Sequence, residues 1–272
     1  MRNIKIVISN TCKDDLSVVQ FMEQIHETFD TYGKTLHDER NVIKSYHLKT
    51  TDNTSKEVIV KRYKRPNPFQ RIVYSFFRKS KAERSFFNAQ ELRNRGVETP
   101  HEIAFIEQKK HLLLEYGYYI SESIYDPPIE KELILPADFN KNMAESFANY
   151  AVQLHAKGIL HHDLNSTNVL YHEMENGDYT FSIIDINRMK IFAEKKYPPA
   201  KACLRSLTKF TTRMDLFEYV VRCYCNTRNL NEAFVQKAIR LKEIHDRKRK
   251  KRKAFLKKFK SKNIRRSSPG RA

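Results

Sequence analysis

Tryptophan is absent from this chain of 272 residues, and glycine is scarce at 6. With only 9 Pro as well, the composition excludes a collagen-like or low-complexity chain. Aromatic packing falls instead to 17 Phe and 14 Tyr. Cysteine is rare too. Of the 4 Cys, only Cys223 and Cys225 lie close together, which gives neither a disulfide framework nor zinc-ligand spacing. Reduced thiols in a cytoplasmic protein are expected. No run of 18 apolar residues exists, so no membrane-crossing helix is expected. Residues Met1 to Asn10 are too short and too polar for a signal peptide and read as an opening strand. No internal repeat is visible. The length allows one large domain or two small lobes, and 40% hydrophobic residues suffice for a core.

Acids are missing from one region. Residues 247–272 hold 14 Lys or Arg and no Asp or Glu, while the formal net charge of the chain is +19. The other 246 residues are left with a balance of +5, so the body is ordinary and the end of the chain carries the charge.

What the chain does have is a run His161-His162-Asp163-Leu164-Asn165-Ser166-Thr167-Asn168, followed by an apolar strand ending in an acid, Phe181-Ser182-Ile183-Ile184-Asp185. Two acids and an amide, each just beyond an apolar run, suit phosphoryl transfer. Asp163 is placed to accept the proton of an attacking hydroxyl, Asn168 to reach back to a metal, and Asp185 to hold Mg²⁺ against nucleotide phosphates. The match is to His-x-Asp-Leu-x-x-x-Asn without departure. Asn176-Gly177-Asp178 between apolar runs is a hairpin signal. It joins residues 168–171 to 179–183 and predicts that Asn168 and Asp185 come near one another.

Upstream, Gly33 to Thr51 reads as a hairpin, and Glu57 to Tyr63 as a strand. Alternation puts Ile59 and Lys61 on one face and Val58 and Val60 on the other. Apolar-x-Lys at that place matches the strand whose Lys reaches nucleotide phosphates, with Ile59 over the base. A Gly-x-Gly-x-x-Gly phosphate cover is missing; only Gly33 is present, so backbone around His37 to Arg40, with Arg40 itself, is left for that task. A helix is expected over 80–95, closed by Gly96 and stopped by Thr99-Pro100. It should supply an acid to pair with Lys61. Glu83 and Glu91 both qualify, and Glu83 is favoured because it neighbours the Ala82–Phe86 face. Two strands follow, Glu102 to Glu107 and His111 to Tyr116. Tyr118 to Glu122 then leaves the small lobe and offers backbone groups to an adenine, Glu122 last. A helix spans 140–157 with apolar residues at spacings of three and four, and ends at Gly158. Helical patterns recur at Met214 to Tyr224 and Leu230 to Ile244.

Several of these stretches together resemble the bacterial lipopolysaccharide kinases that act on Kdo or heptose of the inner core. They are 60–67 (Val60-Lys61-Arg62-Tyr63 onward), 78–86 (Arg78-Lys79-Ser80-Lys81 onward), Gly96-Val97-Glu98-Thr99-Pro100, 162–168, and Ile184-Asp185-Ile186-Asn187-Arg188. The resemblance spans roughly residues 33 to 245. Asp-x-Asn-Arg in place of Asp-Phe-Gly is its most telling part. It implies an α+β, two-lobed protein-kinase-like fold, with a small mainly β N-lobe carrying one long helix and a mainly helical C-lobe. It also implies ATP with Mg²⁺, and transfer to a sugar hydroxyl on the cytoplasmic face of the inner membrane. By motif position, Lys61 becomes the phosphate-binding lysine, Asp163 the base, and Asn168 and Asp185 the metal ligands.

The boundaries expected are residues 1–122 for the nucleotide-binding N-lobe, 123–246 for the catalytic C-lobe and 247–272 for a disordered basic tail. No Ala-Pro-Glu follows Asp185, so a peptide-docking platform is poorly supported and a small or membrane-attached acceptor fits better, the resemblance implying a lipid-linked sugar. Arg188, with Lys190, Lys195 and Lys196 beyond it, would wall a basic acceptor cleft. The tail suits an anionic membrane surface, a reading favoured over nucleic acid. An atypical protein or small-molecule kinase is the competing enzyme, and a basic nucleic-acid-binding protein the competing class.

Overall fold

The computed structural model describes residues 2–49, 54–193 and 196–266. The chain divides into two compact units. The first holds residues 1–127 together with 170–172 and 180–189, and the second holds 128–169, 173–179 and 190–272. The expected boundary after residue 122 therefore moves by five residues. More importantly, Asp185 and Arg188, expected in the second lobe, belong to the first unit.

The first unit is built on one six-stranded sheet. Its strands are β1 (Arg2–Ile8), β2 (Lys34–Asp38), β3 (Val42–Lys49), β4 (Ser55–Tyr63), β5 (Glu102–Lys110) and β6 (Leu113–Glu122), in the order β1-β5-β6-β4-β3-β2. Every pairing is antiparallel. Helix α1 (Leu16–Thr28) lies between β1 and β2 in sequence and starts at Asp15, whose Oδ1 accepts from the N–H groups of Ser17 and Val18. An acidic cap of this kind satisfies two otherwise orphaned donors. Its Val18, Phe21, Met22 and Ile25 pack with Val58, Val60, Ala104 and Ile106 of the sheet. Period-two alternation sends the neighbours to the other face, where Tyr63, Phe105 and Tyr119 meet Ala82 and Phe86. Those two residues belong to α3 (Lys81–Asn94), which is preceded by α2 (Pro68–Ile72) and a π-helical turn, Val73–Phe77. The lobe thus has two long helices, one on each face, not the single one expected; the pattern over residues 16–22 looked too weakly periodic to be counted.

Tyr118 to Glu122 do not leave the sheet. They complete β6, opposite Val58 to Arg62 of β4. The β5–β6 turn sits at His111-Leu112, both at positive φ (50° and 63°), one residue beyond the joint the sequence suggested.

The second unit is mainly helical. It contains α4 (Glu130–Leu133), α5 (Lys141–Ala156), α6 (Ala200–Leu207), α7 (Met214–Thr227) and α8 (Glu232–Arg266). A short strand β7 (Ile159–His161) follows α5 and pairs with β10 (Met189–Ile191), while the hairpin of β8 (Val169–Glu173) with β9 (Tyr179–Ile183) gives residues 170–172 and 180–183 to the first unit. Asn140 caps α5 by accepting from Met143 N–H at 3.0 Å, and Gly158, at φ 72°, ends it, as the sequence indicated. Phe147 of α5 stacks on Phe210 at 4.4 Å between centroids. The residues read as a disordered tail are helical as far as Arg266: they extend α8, whose Lys, Arg, Ala and Leu are good helix formers. Residues 267–272 lie outside the described residues.

Candidate active site

In the first unit the site is built around β4. Alternation buries Val58 and Val60 and turns Lys61 toward the face of α3, its ammonium 5.4 Å from the Tyr63 ring. Lys61 Nζ donates to Asp185 Oδ1 at 2.7 Å. Asn187 Nδ2 donates to the same oxygen at 2.6 Å. The carboxylate is therefore fixed by a cation and an amide. Asp185 also sits in the left-handed region at φ 56°, which an Asp tolerates better than most side chains. Such outliers cluster at functional positions.

Its segment is latched in place. Ile183 N–H donates to Glu98 O at 3.0 Å, Thr99 Oγ1 to Ile183 O at 2.8 Å, and Asn88 Nδ2 to Ile186 O at 2.7 Å. These bonds explain why Asp185 stays with Lys61.

The acid expected to pair with Lys61 does something else. Glu83 is at the third position of α3, its N–H capped by Ser80 Oγ, and its carboxylate lies 3.9 Å from Lys5 of β1. Glu91 pairs with Arg95 at 2.7 Å. The partner of Lys61 is Asp185. Where an acid was expected, α3 brings a cation: Lys81, its first residue, lies 5.8 Å from the Tyr63 ring. Burial, aided by the charges of Arg40, Arg188 and Arg84 and opposed by Asp185, pushes the Lys81 ammonium down to about 8. Positive charge from Lys61, Lys81, Arg40 and Arg188 is thus concentrated around one carboxylate, an arrangement that favours a polyanion.

Ile59 is half-buried beside Lys61 on β4. Glu122 has its N–H committed to His101 O at 2.9 Å and its side chain near Lys56 at 3.5 Å. The backbone donors expected from residues 118–122 are in the sheet.

In the second unit the loop after β7 ties itself together. Asp163 N–H donates to Nδ1 of the buried His161 at 3.1 Å. Asn165 N–H and Asn168 Nδ2 both donate to Asp163 O, at 2.8 and 2.9 Å. Ser166 N–H donates to Phe210 O at 3.2 Å, and buried Leu164 anchors the loop from below. Lys209 donates to His162 O and lies 3.6 Å from Asp163 Oδ1. Burial, aided by the charges of Lys209 and Lys190, pushes the His162 imidazole down, so it is neutral at neutral pH. Of the basic wall expected beyond Arg188, Lys190 is exposed, and Lys195 lies outside the described residues.

The profile of the lipopolysaccharide kinase (Kdo/WaaP) family matches residues 38–237. The chain belongs to this family. No curated sequence matches it. Among solved structures, WaaP in complex with acyl carrier protein is similar at a TM-score of 0.53 and 14% identity, covering 87% of this chain and 99% of that one. An aminoglycoside-3'-phosphotransferase of type VIII is similar at a TM-score of 0.50 and 13% identity, covering 81% and 97%. At these identities the likeness shows the kinase-like fold.

The donor set of this family member fits Mg²⁺. That ion prefers hard oxygen and is held by one or two protein oxygens plus substrate phosphates. Asp185 supplies a carboxylate already oriented by Lys61 and Asn187. In the second unit, Asn168 spends its Nδ2 on Asp163 O and keeps an amide Oδ1, an oxygen of the same hard class.

Three residues escaped the sequence reading. Asn187 was visible in Asp-x-Asn-Arg, but spacing alone gave it no task. Lys209 and Lys81 carry no local signal, because their partners lie 46 and 104 residues away, at Asp163 and Asp185.

Proposed function

We propose that this lipopolysaccharide-kinase-family member is a phosphotransferase that uses ATP and Mg²⁺ to phosphorylate a sugar hydroxyl of the lipopolysaccharide inner core or lipid A precursor, Kdo in preference to heptose. Mg²⁺-ATP, when bound, supplies the transferable phosphoryl group and a neutralising charge for it. The observation that carries the reading is Lys61 and Asn187 converging on Asp185 within 2.7 Å, in the Asp-x-Asn-Arg motif of a family member.

In this reading the chain's own residues divide the work. Lys61, Lys81 and Arg40 hold phosphate oxygens, and Asp185 with Asn168 holds the metal. Ile59 packs against the base, and Glu122 lies beside it at the end of β6. Asp163 accepts the proton of the acceptor hydroxyl, and Lys209 beside it aims the carboxylate. General-base assistance of this kind contributes about 10² to 10⁴ in rate.

Arg188 is exposed and follows Asp185 by three residues. Its planar fork suits the carboxylate of Kdo in a way that Lys does not reproduce. Arg188→Lys should raise the KM for the glycolipid more than the KM for ATP. Equal effects on both, or preferential phosphorylation of a generic protein, would promote the protein-kinase alternative.

Attachment to the inner face of an anionic membrane is assigned to the basic end of α8. Among the described residues no helix is long and apolar enough to cross a membrane. Residues 247–255 are exposed along α8, where each cation near an anionic surface contributes about 1 kcal/mol. Deleting 247–272 should release the protein from anionic vesicles; tighter binding to duplex DNA than to such vesicles would favour the nucleic-acid reading.

A further inference from the structure

The first unit carries an apolar surface that neither the catalytic residues nor the basic end of the chain accounts for. Phe69 is 75% exposed, Ile72 45%, Phe76 60% and Phe77 80%. Single exposed apolar side chains are ordinary, whereas a contiguous group marks an interaction site. Positions 69, 72 and 76 recur at three and four residues, so α2 and its π-helical turn present them on one face.

The segment is held firmly in this posture. Asn67 caps it by accepting from Gln70 N–H at 2.8 Å, and Arg78 N–H closes the π-turn on Val73 O at 2.8 Å. Its inner side is bonded to β6: Arg71 Nε donates to Leu114 O at 2.9 Å, and Leu114 N–H donates to Ser75 Oγ at 2.8 Å. Two residues from Leu114, in the β5–β6 turn, Leu112 is 71% exposed and follows Lys109 and Lys110. On the other flank Lys79 lies 4.2 Å from the ring of the exposed Phe87.

Charge decides what this face fits. Residues 64–82 contain Lys64, Arg65, Arg71, Arg78, Lys79 and Lys81, and no acid. Among the described residues, Arg65 pairs with Glu115 at 3.2 Å and Lys81 is drawn toward Asp185, while this run of residues has no acid of its own to offer Lys64, Arg71, Arg78 and Lys79. The four apolar side chains together offer roughly 500 Å², taking about 200 Å² for a whole Phe. That is below the roughly 800 Å² per partner of a standard protein interface. It is ample for an aromatic wedge with a cationic rim at a lipid headgroup boundary, where such elements sink about 5–10 Å.

We propose that α2 and the turn 73–77 form a membrane-insertion wedge, through which the nucleotide-binding unit docks on anionic lipid independently of the basic end of α8. The proposal goes beyond attachment through α8 and does not depend on which sugar is the acceptor.

The natural absence of Trp makes the test direct. In full-length Phe77→Trp, the only indole is the reporter. With phosphatidylglycerol vesicles its emission should shift to the blue and be quenched by brominated acyl chains; with phosphatidylcholine vesicles it should not. Phe76→Ser/Phe77→Ser should lower partitioning into phosphatidylglycerol vesicles at least tenfold, while turnover on a soluble deacylated acceptor is unchanged. Water-like emission from vesicle-bound protein would mean that α8 alone binds lipid, and would overturn the wedge. So would unchanged partitioning of the double variant. A blue shift without vesicles would place a second copy of the chain on this face and would overturn it equally.

Discussion

Lys81 should make nucleotide binding consume a proton. Its ammonium is half-buried, and with three guanidinium groups nearby it titrates at about 8 instead of the usual 10.5. In the free protein it is then about nine-tenths charged at pH 7, half charged at pH 8 and one-tenth charged at pH 9. A bound polyphosphate replaces lost solvation and offsets the guanidinium repulsion, so the complex should hold the proton across this range. Proton uptake on binding should be small at pH 7, about half a proton at pH 8 and close to one at pH 9. The linked affinity should fall about tenfold between pH 7 and pH 9. Titration calorimetry with ADP in EDTA, repeated in buffers of different ionisation enthalpy, measures the uptake directly. Phosphate titration is common to wild type and variant, so the quantity of interest is their difference. Lys81→Met should remove the uptake at pH 8 and 9 and flatten the affinity profile. Equal uptake in both proteins would show that Lys81 does not face the phosphates, and the reading of the cationic cluster would fail.

Three further outcomes follow from the geometry. Asp163→Ala should lower kcat by about 10² to 10⁴ while leaving nucleotide affinity near wild type, measured by steady-state kinetics beside equilibrium binding; near wild-type turnover would remove Asp163 from the chemistry. Asp185→Ala should weaken the magnesium dependence of nucleotide binding as well as turnover, because it takes away the oxygen that Lys61 and Asn187 orient. His155 is buried between Tyr224 OH at 2.8 Å and Ser206 Oγ at 3.1 Å, and burial, aided by Arg228, pushes it down to about 3. The unfolded chain takes up a proton below about 6.5 and the folded one does not until about 3. This contribution to stability is therefore complete above pH 6.5 and is lost by about 1.4 kcal/mol per pH unit on acidification. Urea unfolding of His155→Gln at pH 7 and pH 4.5 should show one proton less of acid sensitivity.

Local signals in the sequence were read well because their cause is local. Asn176-Gly177-Asp178 needs a residue at positive φ, and Gly177 is at 80° between β8 and β9. Gly158 ends α5 for the same reason, at 72°. Alternation along β4 fixed the faces of Val58, Val60 and Lys61. Charge partners were not legible. Lys61 could have met any acid brought to its face, and α3 offers Glu83 in the right turn; only the latch from Asn88, Glu98 and Thr99 to residues 183–186 puts Asp185 there instead. The end of β6 was misplaced because Tyr118 to Glu122 were read through an expected adenine contact, whereas the backbone groups were already claimed by β4 and β5. A helix through residues 247–266 was hidden by its charge, since a run of cations reads equally as a solvated coil.

The account rests most directly on the acceptor. Purified protein should be incubated with Mg²⁺-ATP and Kdo-lipid A, alongside the Asp163→Ala variant, and the glycolipid examined by mass spectrometry with fragmentation. The account predicts one added phosphate on the sugar with the wild type and none with the variant. An unmodified glycolipid under conditions where the same preparation turns over ATP onto a protein or another small molecule would contradict it.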